Sequence, residues 1–266
     1  MRPVYWSLAF LMLSAAGLRG QFPTAVVAAG SAPYAAAVNP ATNQIYVVNF
    51  GSNSVTVIDG ATNATTTVAV GTNPVAVAVN PLTNTIYVAN KVSNNVTVIN
   101  GATNTVTATV AVGTTPVAVA VNPATNKIYV ADSGSGNVTV IDGATNATTT
   151  VLVVGFPSAV AVNPMTDKNV TPQNTGTSGT LTVINGANNT TAKVAVGTGP
   201  YALAVNPATN TIYVANKHKQ QRYGDQRDLE RHHHGGGGYQ PVQCGRQPGD
   251  QPDLCGGLRQ PHCHGD

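Results

Sequence analysis

One text is written five times along this chain. A unit opens at Pro33 as PYAAAVNPATNQIYVVN and returns at Pro74 (PVAVAVNPLTNTIYVAN), Pro116 (PVAVAVNPATNKIYVAD), Pro157 (PSAVAVNPMTDK) and Pro200 (PYALAVNPATNTIYVAN). Successive openings lie 41, 42, 41 and 43 residues apart. A fixed period of this size means one supersecondary module stacked on copies of itself, because a single module cannot bury its own apolar surface.

Each complete unit reads as four short strands. Strand a is the AVAVN run after the proline, and strand b is IYVAN, as at Ile86 to Asn90. Strand c is VTVI, as at Val55, Val96 and Val138, and strand d is the Thr-rich run that ends VAVG, as at Val68 to Gly71. Val, Ile, Thr and Tyr suit a pleated, half-buried surface. Between a and b stands Asn-Pro-Ala-Thr-Asn, where Pro presets φ and the later Asn tolerates the left-handed region. Between c and d stands Asp-Gly or Asn-Gly (59–60, 100–101, 142–143, 185–186), a strong hairpin signal. Strand a alternates Ala and Val with almost no polar side chain, so both of its faces need cover. Four-stranded antiparallel units of roughly 40 residues that pack on one another are the blades of a β-propeller. An open β-solenoid or stacked sandwich is the alternative, and its repeats run shorter. The expected fold class is all-β: an incomplete β-propeller of about four full blades plus part of a fifth. A length of 266 residues suits one large domain of this kind.

The IYVAN strand, the PVAVAVNP opening and the VTVIDGATN hairpin resemble the YVTN family of β-propeller repeats. The likeness covers residues 24 to 217 and recurs cleanly four times. It implies an exported or cell-surface protein of the surface-layer type. Related propellers include lactonases and quinoprotein-like enzymes. The fourth unit departs from the pattern: where IYVAN should follow Lys168 there stand Asn169, Val170, Thr171 and Pro172, then a Gly/Ser/Thr-rich loop to Gly179. Pro172 has no N–H to give a ladder, so this b strand is expected to be short or bulged.

Three unlike texts share the chain. Residues 1–20 carry Arg2, an apolar run to Leu13 and then Ser14, Ala15, Ala16 and Gly17, the layout of a secretory signal peptide. Residues 21–217 hold the repeats without a single Cys, His, Arg, Glu or Trp. Residues 218–266 hold all six His, all three Cys and the only Glu. That tail offers metal-binding bait in His232 to His234 and His262-Cys263-His264. A displaced reading frame explains it better. Asn-Asn written AAC AAC becomes CAA CAA one base out of step, and Gln220-Gln221 stand where Asn-Asn is due. Thr runs become His runs, and His232 to His234 fall where Thr65 to Thr67 fall in the first unit. Gly235 to Gly238 align with Val68 to Gly71, and Pro241 follows Pro200 by 41 residues. Residues from about His218 onward therefore read as fifth- and sixth-blade text shifted by one base. As translated, the tail has too little apolar surface to fold and is expected to be disordered. A leading d-like strand, Thr24 to Ala29, then lacks the last blade it would complete. An arc or badly closed ring with association-prone edges is expected.

The chemistry available to the repeats is thin. Only 9% of the chain is charged and the net charge is +3, too weak a field for a nucleic-acid groove. The repeats hold four Asp (59, 132, 142, 167) and five Lys (91, 127, 168, 193, 217). Asp59 and Asp142 alternate with Asn100 and Asn185 at one turn, Asp132 with Asn49 and Asn90, and Asp167 with Asn43, Asn84 and Asn126. That interchange marks turn formers. Tyr46, Tyr87, Tyr129 and Tyr213 recur once per blade and are expected in packing. No catalytic or metal-ligating residue and no cofactor is assigned, and the ligand-binding residues stay open. Sequons at Asn63, Asn95, Asn137, Asn146 and Asn189 follow from the repeat. The expected function is a non-enzymatic surface or secreted module with a protein or glycan partner at the cell surface. No nucleic acid is expected, and no membrane span after signal removal. Self-association through open blade edges is foreseen. A propeller enzyme resembling lactonases or quinoprotein-like dehydrogenases is the alternative.

Overall fold

The computed structural model describes residues 26–153, 155–174 and 179–218. The signal-like segment 1–20 and the shifted-frame text beyond His218 lie outside the described residues. Blade one contains β1 (Pro33–Asn39), β2 (Gln44–Asn49), β3 (Ser54–Asp59) and β4 (Thr65–Ala69). Blade two contains β5 (Pro74–Asn80), β6 (Thr85–Asn90), β7 (Asn95–Asn100) and β8 (Thr105–Ala111). Blade three contains β9 (Pro116–Asn122), β10 (Lys127–Asp132), β11 (Asn137–Asp142) and β12 (Thr148–Leu152). In each, the strands pair antiparallel in chain order. Blade four contains β13 (Phe156–Pro157), β14 (Ala161–Asn163), β15 (Lys168–Asn174), β16 (Gly179–Asn185) and β17 (Thr191–Val196). Blade five is the hairpin β18 (Thr198–Asn206) and β19 (Thr211–His218).

The period-2 alternation of each strand gives every blade two apolar faces, and the stack joins unlike faces. Tyr46, Val48, Val55, Val57 and Val68 of blade one meet Ile86, Val88 and Ile99 of blade two. Tyr87, Val96, Val98 and Val110 of blade two meet Ile128, Val130 and Ile141 of blade three. Tyr129, Val138, Val140 and Val151 of blade three meet Ile184 of blade four. Blades one to three thus present a Tyr face forward, each against an Ile-bearing face of the next blade. Each fully buried Val or Ile contributes about 1.5–3 kcal/mol, so the interfaces, rather than the single blades, hold the fold. The first strands β1, β5, β9 and β14 also pack in succession.

The two ends of the blades are built differently. One end carries the a–b and c–d turns, and Asn43, Asn84, Asn126 and Asn210 sit there with φ between 50° and 54°. Asn side chains bind across blades at this end. Asn39 Nδ2 donates to Asn84 Oδ1 (2.7 Å), Asn80 to Asn126 (2.8 Å), Asn122 to Asp167 (2.7 Å) and Asn163 to Asn210 (2.7 Å). Each donor's Oδ1 also caps its own turn, as Asn80 does for Leu82 N at 3.1 Å. The other end, the crossover rim, carries the b–c turns and the segments that lead from one blade to the next. Here Gly30 N, Gly71 N and Gly113 N donate to Thr56, Thr97 and Thr139 hydroxyls, each at 3.3 Å. A Cβ at Gly71 would run into Ser93 Oγ and the Asn90 amide, so only glycine lets the crossover lie against the blade.

Three expectations are corrected. The fourth b strand is neither short nor bulged: β15 runs seven residues and pairs β16 without a break from Lys168 to Asn174. The irregularity falls on strand a instead, split into β13 and β14. Ser158 N donates to Pro172 C=O at 3.2 Å. The N and C=O of one strand residue point to the same side, so the N–H that Pro172 lacks faces strand a and leaves that ladder incomplete. The leading segment is not a strand over the described residues 26–29, because among the described residues no c strand lies beside it to pair with. Tyr46, Tyr87 and Tyr129 are fully buried at interfaces as expected, but Tyr213 is 59% exposed.

Candidate functional site

Repeats provide their own internal comparison: what stays constant builds the blade, and what varies is free to do something else. The a–b and c–d turn end is nearly constant, being NPxTN and [DN]GATN or a close relative of each in every blade that reaches it. The crossover rim varies. The residue after the blade-opening proline is Tyr34, Val75, Val117, Ser158 and Tyr201 in turn. The residue after the last b-strand position is Phe50, Lys91, Ser133 and, in blade five, Lys217. The exposed aromatic rings Tyr34, Phe156 and Tyr201 stand here, with Val92, whereas the exposed aliphatic Leu82 and Met165 stand in the a–b turns of the other end.

The local geometry presents these groups. Phe50 N donates to Ala32 C=O (2.9 Å) and Lys91 N to Asn73 C=O (2.9 Å), which ties the b–c turn to the crossover. The Tyr34 and Phe50 rings lie 6.0 Å apart at 33°. Lys217 Nζ stands over the Tyr201 ring, 5.3 Å from its centroid, a contact worth about 0.5–1 kcal/mol at an exposed site. Ser158 Oγ donates to Tyr201 C=O at 3.1 Å. Backbone strain collects at the same rim. Ala32 has φ 50° and Thr115 φ 54°, whereas the turns at the other end place Asn or Asp at such angles. A β-branched residue in this region costs about 1–3 kcal/mol and persists only where its surroundings hold it. Thr115 N is held by Asn94 Oδ1 of the preceding blade at 2.8 Å.

The carboxylates serve elsewhere. Asp59 Oδ1 accepts from Ala61 N and Thr62 N, both at 2.9 Å, and those donors, Thr62 first, hold its carboxyl below the usual range. Asp142 does the same with Thr145 and Ala144. Asp167 accepts from Asn122. Asp132 lies beneath the crossover rim with no exposure; Thr139 Oγ1 donates to its Oδ2 at 2.6 Å, while its Oδ1 has no partner. Burial raises this carboxyl to about 6, against hydrogen bonds from Thr139 and Gly113. Asp59 and Asp142 thus cap their own turns, Asp167 accepts from the preceding blade and Asp132 is buried. Among the described residues no three His, Cys, Asp or Glu converge. A hollow of about 240 Å³ between blades three and four is edged by Lys127, Asp142, Thr149 and Asn189. It is smaller than the roughly 300–1,000 Å³ of typical small-molecule sites. Tyr34, Phe50, Lys91, Tyr201 and Lys217 carried no functional expectation from sequence; comparing repeats column by column is the signal that reveals them.

No family model matches the chain, and no curated protein matches it significantly. Solved structures do. The chain is similar to hydrazine synthase of Kuenenia stuttgartiensis, with TM-score 0.65 and 22% identity, over 73% of this chain and 58% of that one. It is also similar to the β-propeller domain of Cps50 (Swd1) of Myceliophteria thermophila, with TM-score 0.62 and 10% identity, over 72% of this chain and 65% of that one. The chain has a β-propeller fold. It spans less than two thirds of the length of each of these neighbours, and at such identities the likeness extends to the fold alone.

Proposed function

We propose that the protein is an exported or cell-surface β-propeller of the YVTN-like kind that binds a surface partner through its crossover rim and catalyses nothing. The observation that carries this reading is the contrast between the two ends. Variation from blade to blade, exposed aromatic rings and strained backbone at Ala32 and Thr115 concentrate on one rim, while each carboxylate of the described residues is committed to a turn, to a neighbouring amide or to burial. The signal-like residues 1–20 and the resemblance of the repeats to surface proteins support export. Exposed rings, with Lys217 over that of Tyr201, suit the flat apolar faces of sugars in an acidic polysaccharide, or a peptide with acidic and aromatic residues. Binding to a panel of acidic cell-surface polysaccharides tests this. Tyr201→Ala and Lys217→Ala should each weaken binding about tenfold, roughly 1.4 kcal/mol, and Asp59→Asn at the opposite end should not. Equal binding by all variants removes the rim from the reading. Turnover of lactones with added divalent cations would instead favour a propeller enzyme.

A further inference from the structure

Every described blade junction is locked by an Asn amide that donates into the next blade's a–b turn, and the first three also set a Tyr face against an Ile-bearing face. The chain of joints has two open ends. At blade one the Ile face is uncovered, with Val38 at 54% exposure where Val79 and Val121 are half-buried. Asn43, which stands where Asn84, Asn126 and Asn210 accept, receives no amide among the described residues. At blade five the Tyr face is uncovered, with Tyr213 at 59% where Tyr46, Tyr87 and Tyr129 are at zero. Asn206 caps Ala208 N through Oδ1 at 3.1 Å as its counterparts do, but its Nδ2 reaches no acceptor among the described residues. Among the described residues the two ends do not meet: no extensive packing joins β1 to β18 or β19.

We propose that a second copy of the chain supplies the missing joint, with blade five of one copy docking its Tyr face on the Ile face of blade one of the next. Asn206 Nδ2 then donates to Asn43 Oδ1 across copies. The occupant follows from complementarity. One end lacks an acceptor and the other a donor, one shows the forward face and the other the backward face, and the junctions that follow Tyr46, Tyr87 and Tyr129 show that such ends fit. Unlike faces make a head-to-tail contact, which forms a ring if the rotation closes and a filament if it does not. This inference is independent of the rim-binding reading, since neither Val38 nor Tyr213 belongs to the rim.

The test is mass by sedimentation velocity across a micromolar concentration series, using the full chain. Wild type should associate. Val38→Glu spoils one end and Tyr213→Glu the other; both side chains are exposed, so each variant should keep wild-type circular dichroism and run as a monomer. An equimolar mixture of the two retains one intact joint and should give a heterodimer of twice the monomer mass and nothing larger. Asn206→Asp keeps the Oδ1 cap and deletes the donor, and should weaken association about tenfold. A wild type that stays monomeric, variants that associate like wild type, or a mixture without heterodimer would each overturn the proposal.

Discussion

Asp132 shows how much one atom matters at a fixed position of the repeat. In blade two the amide of Asn90 donates to Asn95 Oδ1 (2.8 Å) and to Thr97 Oγ1 (2.9 Å). In blade three the same backbone carries Asp132, and an ionised carboxylate has nothing to donate. The Thr139 hydroxyl reverses direction and donates to it, and Asn137 Oδ1 is left without a donor, as is Asp132 Oδ1. Protonation repairs the network. Burial puts the folded carboxyl at about 6 against 3.8 ordinarily, so between those values the native state holds a proton that the unfolded chain has released. This contribution to stability is complete below pH 3.8 and is lost as the pH rises to about 6, a change of about 3 kcal/mol. Asp132→Asn restores the donor. It should raise stability at pH 8 by a similar amount and flatten the pH dependence between 4 and 6; urea denaturation at pH 4, 6 and 8 measures both, and an unchanged profile would reject the assignment.

At the scale of one element, strand a of blade four reports a cost imposed by its neighbour. Pro172 stands where Ala131 stands in β10, and its ring nitrogen faces Ser158 rather than β16. β15 keeps its full pairing with β16, and strand a breaks between Pro157 and Ala161. Pro172→Ala supplies an N–H on the side that faces strand a. The gain from one hydrogen bond, about 0.5–1.5 kcal/mol, is offset in part by the freedom returned to the unfolded chain, about 0.4–1 kcal/mol. Stability should therefore move little, while amide exchange at residues 158 and 172 slows markedly. Unaltered exchange there would mean that the break has another origin.

For the whole molecule, position in the stack sets the worth of a side chain. Ile128 and Ile212 occupy the same column of the repeat, yet Ile128 is fully buried between blades and Ile212 is 36% exposed in blade five. Ile128→Ala should cost about 3–4 kcal/mol through lost transfer and an unfilled cavity. Ile212→Ala should cost under about 2 kcal/mol, because part of its surface already meets water. Denaturant midpoints at unchanged slope measure the difference, and equal costs would show that the blades do not stabilise one another as a nearest-neighbour stack.

Much of this was legible in the residues. The period between Pro33 and Pro200, the alternation in PVAVAVN and the Asn and Gly at the turns determine four-stranded blades and their order, because those preferences act within a few residues of chain. The interchange of Asn with Asp59, Asp132, Asp142 and Asp167 likewise shows side chains recruited for local hydrogen bonds. What folding in three dimensions decided depends on which surfaces meet. It made Tyr129 core and left Tyr213 in the open, moved the damage of Pro172 from its own strand to the neighbouring one, buried Asp132 with no donor for its Oδ1, and gathered Tyr34, Tyr201 and Lys217 on one rim. Identical letters differ there because cover, desolvation and hydrogen-bond direction come from adjacent strands and blades, which no local reading contains.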